Sequence, residues 1–144
     1  MNEDEEYSCK PIGVAHTPFS DQVATPIQSI FSTTHGTVEI YSEFRAGLVA
    51  LEEFSHIILV YRFHRAAGEE LSERPLIDGV DPHGIFATRH FNRPNQLGIS
   101  VVKLLKIEDG RISVEGIDLL DETPIFDIRP YIPEFDCVPD ATSG

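Results

Sequence analysis

No apolar run in this sequence is long enough to cross a membrane as a helix. The longest, residues 57–61, has the length of a buried strand. Cysteine is nearly missing. Cys9 and Cys137 stand near opposite ends of the chain, which reads as two free thiols in a reducing compartment. Six histidines are present, but neither HxxxH nor CxxC occurs, so a metal site has little support. The phosphate-cradling patterns GxGxxG and GxxxxGK followed by Ser or Thr are both absent, which argues against a nucleotide-binding α/β fold. GxSxG is absent too, so there is no nucleophile elbow. The opening MNEDEEYSCK is acidic and lacks a signal-peptide core, and the cytoplasm is the expected compartment.

Basic residues are also short in number. Lysine and arginine total 11 against 24 acids, a formal charge of -13. An evenly acidic surface would repel nucleic acid. The charge is uneven, however. Residues 61–112 carry eight basic and seven acidic side chains, or +1, and the remainder carries three against seventeen, or -14. Any anion site therefore belongs to the middle of the chain.

What remains reads as one small domain of 144 residues with 41% apolar content. Residues 1–8 form an acidic tail expected to be disordered, 9–136 the folded domain, and 137–144 a loose end. Residues 11–16 read as a strand, and 17–32 as a long polar loop. Residues 37–44 alternate, with Val38, Ile40 and Phe44 on one face. AGLVALEEF at 46–54 allows two helical turns. SHIILVYRF at 55–63 is the strongest strand signal. Residues 68–82 are acidic and read as an exposed excursion. Residues 85–87 read as a short strand before a polar loop. Residues 100–118 read as a hairpin turning at Asp109-Gly110. Residues 125–128 are a last strand. The expected fold is mainly β: a small antiparallel β-barrel with one or two short helices.

Three polar clusters follow apolar strands: His64 and Arg65, then Arg89 to Asn95, then Asp118 with Asp121. Strand ends on one rim of a barrel can share a pocket. Arg89 and Arg93 could each grip a carboxylate or phosphate through a bidentate fork, and the aspartates could accept from an ammonium or ribose hydroxyls. The same spacing also fits a surface loop of solvated arginines, and Asp118 and Asp121 equally fit a turn.

Four segments carry a resemblance: IGVAHTPF at 12–19, FRAGLVALEEFSHIILVYRFHR at 44–65, GIFATRHFNRPNQLGIS at 84–100 and GIDLLDETPIFDIRPYIPEFD at 116–136. Together they resemble the TrmO (TsaA/YaeB-like) family of S-adenosylmethionine-dependent tRNA methyltransferases. That family is similar to a small β-barrel, often a homodimer. Its members methylate the exocyclic amine of N6-threonylcarbamoyladenosine, next to the anticodon. The resemblance implies cofactor contacts at Gln28, Ser29, Ile30, His64, Arg65, Arg89, Ile99, Asp118, Leu119, Leu120 and Asp121. It implies substrate handling at Arg93 and Asn95, with the tRNA anticodon loop as partner and neither metal nor membrane. Three departures stand out: Gln96 where the family commonly has proline, Glu122 where it has glycine, and Asn92 in place of an aromatic or histidine.

Methyl transfer from a sulfonium is an in-line displacement that needs no side-chain nucleophile, in keeping with finding none. Two other readings fit the residues: a cofactor-binding regulatory module without catalysis, and a methyltransferase for a small molecule, which the charge of -13 favours.

Overall fold

The computed structural model describes residues 3–20, 33–64, 74–75 and 82–143. Six strands close into an antiparallel barrel in the order β1-β2-β7-β6-β3-β8. They are β1 (Gly13–His16), β2 (His35–Ile40), β3 (His56–Arg62), β6 (Leu97–Glu108), β7 (Arg111–Glu115) and β8 (Thr123–Pro130). A separate two-residue ladder pairs β4 (Arg74–Pro75) with β5 (Pro82–His83) inside the excursion, most of which lies outside the described residues. Among the described residues no helix is long and apolar enough to cross a membrane.

The core follows from alternation along each strand. Val38 and Ile40 of β2, Ile57, Leu59 and Tyr61 of β3, Val102 of β6 and Ile112 and Val114 of β7 point inward and are at most 3% exposed. Ala15 and Ile125 close the ring, and Ile117 and Leu119 cap it from the β7–β8 connection. The β6–β7 hairpin turns where expected. Asp109 and Gly110 take φ of 51° and 74°, the paired left-handed geometry that matches strand twist and that Asp-Gly favours.

Three local expectations are corrected. Residues 85–87 are not a strand but a single 3-10 turn, closed by Ala87 N donating to Gly84 O and Thr88 N to Ile85 O. Three residues with no neighbouring strand to pair with satisfy their backbone locally. Phe44 is not in a strand: β2 ends at Ile40, and Phe44 sits in the 3-10 segment Ser42–Leu48. The expected helix at 46–54 breaks because Ala50 takes φ of 71°, and a second 3-10 turn, Leu51–Glu53, follows. At the end of the domain α1 (Pro133–Asp136) makes one turn, with Ile132 N donating to Asp136 Oδ2 at 2.7 Å.

Strand direction decides where function can sit. Antiparallel order puts the ends of β1, β3 and β7 and the starts of β2, β6 and β8 on one rim. The three long connections, 17–34, 63–96 and 116–122, all join strands at that rim. The opposite rim carries the hairpin turn and the 3-10 segments Ser42–Leu48 and Leu51–Glu53.

Candidate functional site

The long-connection rim is built from side chains that lock its loops to one another. Thr17 Oγ1 donates to Leu119 O at 2.7 Å, and Thr17 N donates to Asp121 Oδ1 at 3.0 Å. Asp121 N donates to Phe19 O, and Glu122 N to Ala15 O, both at 2.8 Å. The 118–122 turn is thereby sewn to the end of β1. Thr123 Oγ1 donates to Leu120 O at 2.6 Å and lies 3.4 Å from His64 Nδ1, which brings the end of β3 to the same turn. His16 stands between two carboxylates, 3.0 Å from Glu39 and 4.0 Å from Asp121. Its hydrogen bond holds the Glu39 carboxyl below the usual range, with the charge of Arg111 helping.

Asp118 is the buried member, 6% exposed, and accepts from Ser100 Oγ at 2.6 Å. Ser100 in turn lies 2.8 Å from the hydroxyl of Tyr61. Burial pushes the Tyr61 phenol far up, the charge of Asp118 adds to this, and the positive charge of Arg89 opposes it. Arg89, Tyr61 and Asp118 therefore share one electrostatic environment.

The Arg89–Asn95 loop is stiffened from within. Thr88 Oγ1 donates to Ile85 O at 2.9 Å, and Asn92 N donates to His90 Nδ1 at 3.1 Å. Arg93 Nη1 donates to Thr88 O at 2.8 Å and His90 O at 3.3 Å. An aromatic file ties the loop to the barrel: His90 stacks on Phe91 at 4.1 Å, and Phe91 meets Phe63, which meets Tyr61, edge to face.

Of the sequence-predicted residues, the structure brings His64, Arg89, Asp118, Leu119, Leu120 and Asp121 to this one rim. Leu119 and Leu120 are buried, so the turn offers mainly backbone there, and both carbonyls already accept from threonines. Arg93 and Asn95 lie in the adjoining loop, Asn95 exposed with φ of 64°. Ile99 is placed apart. It is 54% exposed on the outer face of β6, between the inward Gly98 and Ser100. Gln28, Ser29, Ile30 and Arg65 lie outside the described residues. Sequence reading missed Tyr61, Ser100 and Thr17. Ser100 did carry a signal, as a lone hydroxyl at an inward position of an apolar strand.

Among the described residues no cluster of three or more His, Cys, Asp or Glu could hold a metal. A hollow of about 580 Å³, lined by Arg45, Lys106, Arg111 and Ser113 among others, lies on the outer face near the hairpin and includes none of the predicted residues. Its three cations face two carboxylates, Glu108 and Asp109, in the same hollow, and Lys106 pairs with Glu108 at 2.8 Å, which reads as a surface of mixed charge rather than the site.

Comparison with known proteins bears on the family and the fold. The tRNA-methyltransferase O N-terminal domain family matches residues 14–137. An Archaeoglobus fulgidus protein named S-adenosyl-L-methionine-binding protein is 39% identical over 129 residues, 90% of this chain and 92% of its own length. A mouse protein named tRNA (adenine(37)-N6)-methyltransferase is 34% identical over 135 residues, 88% of this chain but only 31% of its own. A crystal structure of TrmO superposes with a TM-score of 0.84 at 40% identity, covering 97% of this chain and 64% of the other. The chain thus spans less than two thirds of the solved TrmO chain and of the mouse protein. With the family match running almost the length of the barrel, the chain belongs to the TrmO family through its tRNA-methyltransferase O N-terminal domain.

Proposed function

We propose that this chain is an S-adenosylmethionine-dependent methyltransferase acting on N6 of N6-threonylcarbamoyladenosine at position 37 of tRNA, in the cytoplasm. The observation that supports this best is the meeting of His64, Arg89, Asp118 and the Asp121 turn at one rim of a TrmO-family barrel. The donor set suits the cofactor. Carboxylates match an ammonium and ribose hydroxyls, and a guanidinium matches a carboxylate. His64, Arg89, Asp118, Asp121 and the Leu119–Leu120 backbone are assigned to it, with Gln28, Ser29, Ile30 and Arg65 added by resemblance, while the outward-facing Ile99 is left out.

When bound, the cofactor supplies a methyl group activated on a sulfonium. The protein has to align the amine nitrogen with that methyl and exclude water, and such positioning supplies about 7–11 kcal/mol of the barrier in favourable cases. An anticodon-loop base is unpaired or easily splayed out, so reaching it costs less than in a duplex. Arg93 is assigned to the threonyl carboxylate of that base, and Asn95 to the same substrate. Arg93 Nη1 is held by loop carbonyls, which fixes the plane of the fork, and the rest of the fork is assigned to the substrate.

The experiment is Arg93→Ala, assayed for methyl transfer to modified tRNA and, by calorimetry, for cofactor affinity. Transfer is expected to fall with affinity kept. Equal loss of both would contradict the assignment. A small-molecule acceptor is the second reading, favoured by the charge of -13. Weak salt dependence of activity would support it over RNA.

A further inference from the structure

Tyr61, Ser100 and Asp118 come from β3, β6 and the β7–β8 connection, and they form one buried chain. They are 3%, 3% and 6% exposed. Tyr61 to Ser100 is 2.8 Å, and Ser100 to Asp118 is 2.6 Å. A serine hydroxyl has a single hydrogen, and an ionised carboxylate only accepts. Ser100 therefore gives its hydrogen to Asp118 and must accept from Tyr61. The direction is fixed: Tyr61 donates to Ser100, and Ser100 donates to Asp118. The short second distance is that of a hydrogen bond to a charged acceptor.

Gly98 makes the reach possible. In the β3–β6 register Tyr61 lies opposite Gly98, while Ser100 lies opposite Leu59. The Tyr61 ring crosses β6 over Gly98 to bring its hydroxyl to Ser100, one inward position further along. A Cβ at residue 98 would stand 2.6 Å from Tyr61 Cε2. The barrel thus carries a gap in its packing at the place the ring needs it.

Stability does not explain this chain. Its immediate neighbours Leu59, Ile117 and Leu119 are fully buried apolar residues, and well-packed apolar side chains in place of a buried charged network are often neutral or stabilising. What the chain does provide is a carboxylate whose orientation is set from inside the barrel, at the rim where Arg89 and His64 also stand.

We propose that Tyr61 and Ser100 are positioning residues that act through Asp118: the relay fixes its carboxylate for a ligand bearing an ammonium or ribose hydroxyls. This rests on the cofactor reading above.

The test is calorimetric titration of S-adenosylmethionine into the parent chain, Ser100→Ala, Ser100→Thr, Tyr61→Phe, Asp118→Asn and the Ser100→Ala/Asp118→Asn double variant, with thermal melts as controls. Ser100→Ala is expected to weaken binding about tenfold, the range for a hydrogen bond to a charged group. Tyr61→Phe is expected to weaken it about threefold, and Ser100→Thr to restore it. Because both act through one contact, the double variant should bind no more weakly than Asp118→Asn. A merely structural role would give losses that multiply, and that result would overturn the relay. So would parent-like binding by Ser100→Ala. A parent chain that does not bind the cofactor would instead overturn the cofactor reading, and the relay with it. If Ser100→Ala does not fold, Tyr61→Phe, which removes one oxygen atom, decides.

Discussion

Gln96 Oε1 accepts from Arg62 Nη2 at 3.0 Å while the Gln96 backbone holds φ at 52°. Gln96 O also accepts from Phe63 N at 2.8 Å, and Gln96 N donates to Arg93 O at 2.9 Å. One residue therefore pins the loop that carries Arg93 to the end of β3. Proline, common here in the family, cannot take this geometry, because its φ is fixed near -65° and it has no N–H to donate. The loop of this chain has its own conformation, with Asn95 and Gln96 both left-handed. Gln96→Pro is expected to destabilise by more than about 1 kcal/mol in urea unfolding. An unchanged midpoint would mean that the loop reverts to another shape at no cost.

Glu122 shows the opposite behaviour. It replaces a family glycine yet keeps φ at 65°, a region where a side chain crowds the backbone. Its N–H donates to Ala15 O, so the turn is held and the strain is borne. Glu122→Gly is expected to raise stability by about 0.5–1 kcal/mol, the relief of left-handed strain less the entropy glycine loses on folding. Thermal and urea unfolding measure it. Destabilisation would contradict the strain.

Tyr61 sets a pH dependence. Its folded pKa is raised, so above about pH 10 the unfolded chain loses the phenol proton while the folded chain keeps it. Stability is then fully present below pH 10 and falls above it, by about 1.4 kcal/mol per pH unit. Subtracting the profile of Tyr61→Phe from that of the parent isolates this slope. Parallel profiles between pH 10 and 11 would show that the phenol ionises in place.

The outer face of the barrel bears on assembly. Leu97, Ile99 and Val101 stand 42%, 54% and 38% exposed along β6, and Val60 and Ile58 lie opposite Ile99 and Val101 on β3. A continuous apolar sheet face of this kind suits a second copy of the chain, and the homodimer that the resemblance implies would be seated here. Ile99→Glu is expected to shift sedimentation from dimer to monomer without lowering the melting temperature of the barrel. A monomeric parent chain would remove the assignment.

Much of the barrel was legible because alternation and turn chemistry are local. Residues 55–63 and the Asp109-Gly110 turn carry their structure in neighbouring side chains. What was not legible depends on partners distant in sequence. Residues 85–87 have strand-like composition but no strand to pair with. Ile99 reads as part of a motif, yet the period of β6 turns it away from the rim. Ser100 and Tyr61 matter only because the barrel closes β3 against β6 and lays the 116–122 connection over both. Two of the three polar clusters, His64 and Asp118 with Asp121, come just after a strand, whereas Arg89 to Asn95 follows a 3-10 turn and comes just before β6.

The central claim is methyl transfer to a modified adenine, and mass spectrometry of nucleosides tests it most directly. The chain is incubated with S-adenosylmethionine and tRNA that either carries or lacks the threonylcarbamoyl group. The account predicts a methylated N6-threonylcarbamoyladenosine from the first tRNA and no new nucleoside from the second. Cofactor binding with no methylated nucleoside from either tRNA would contradict it.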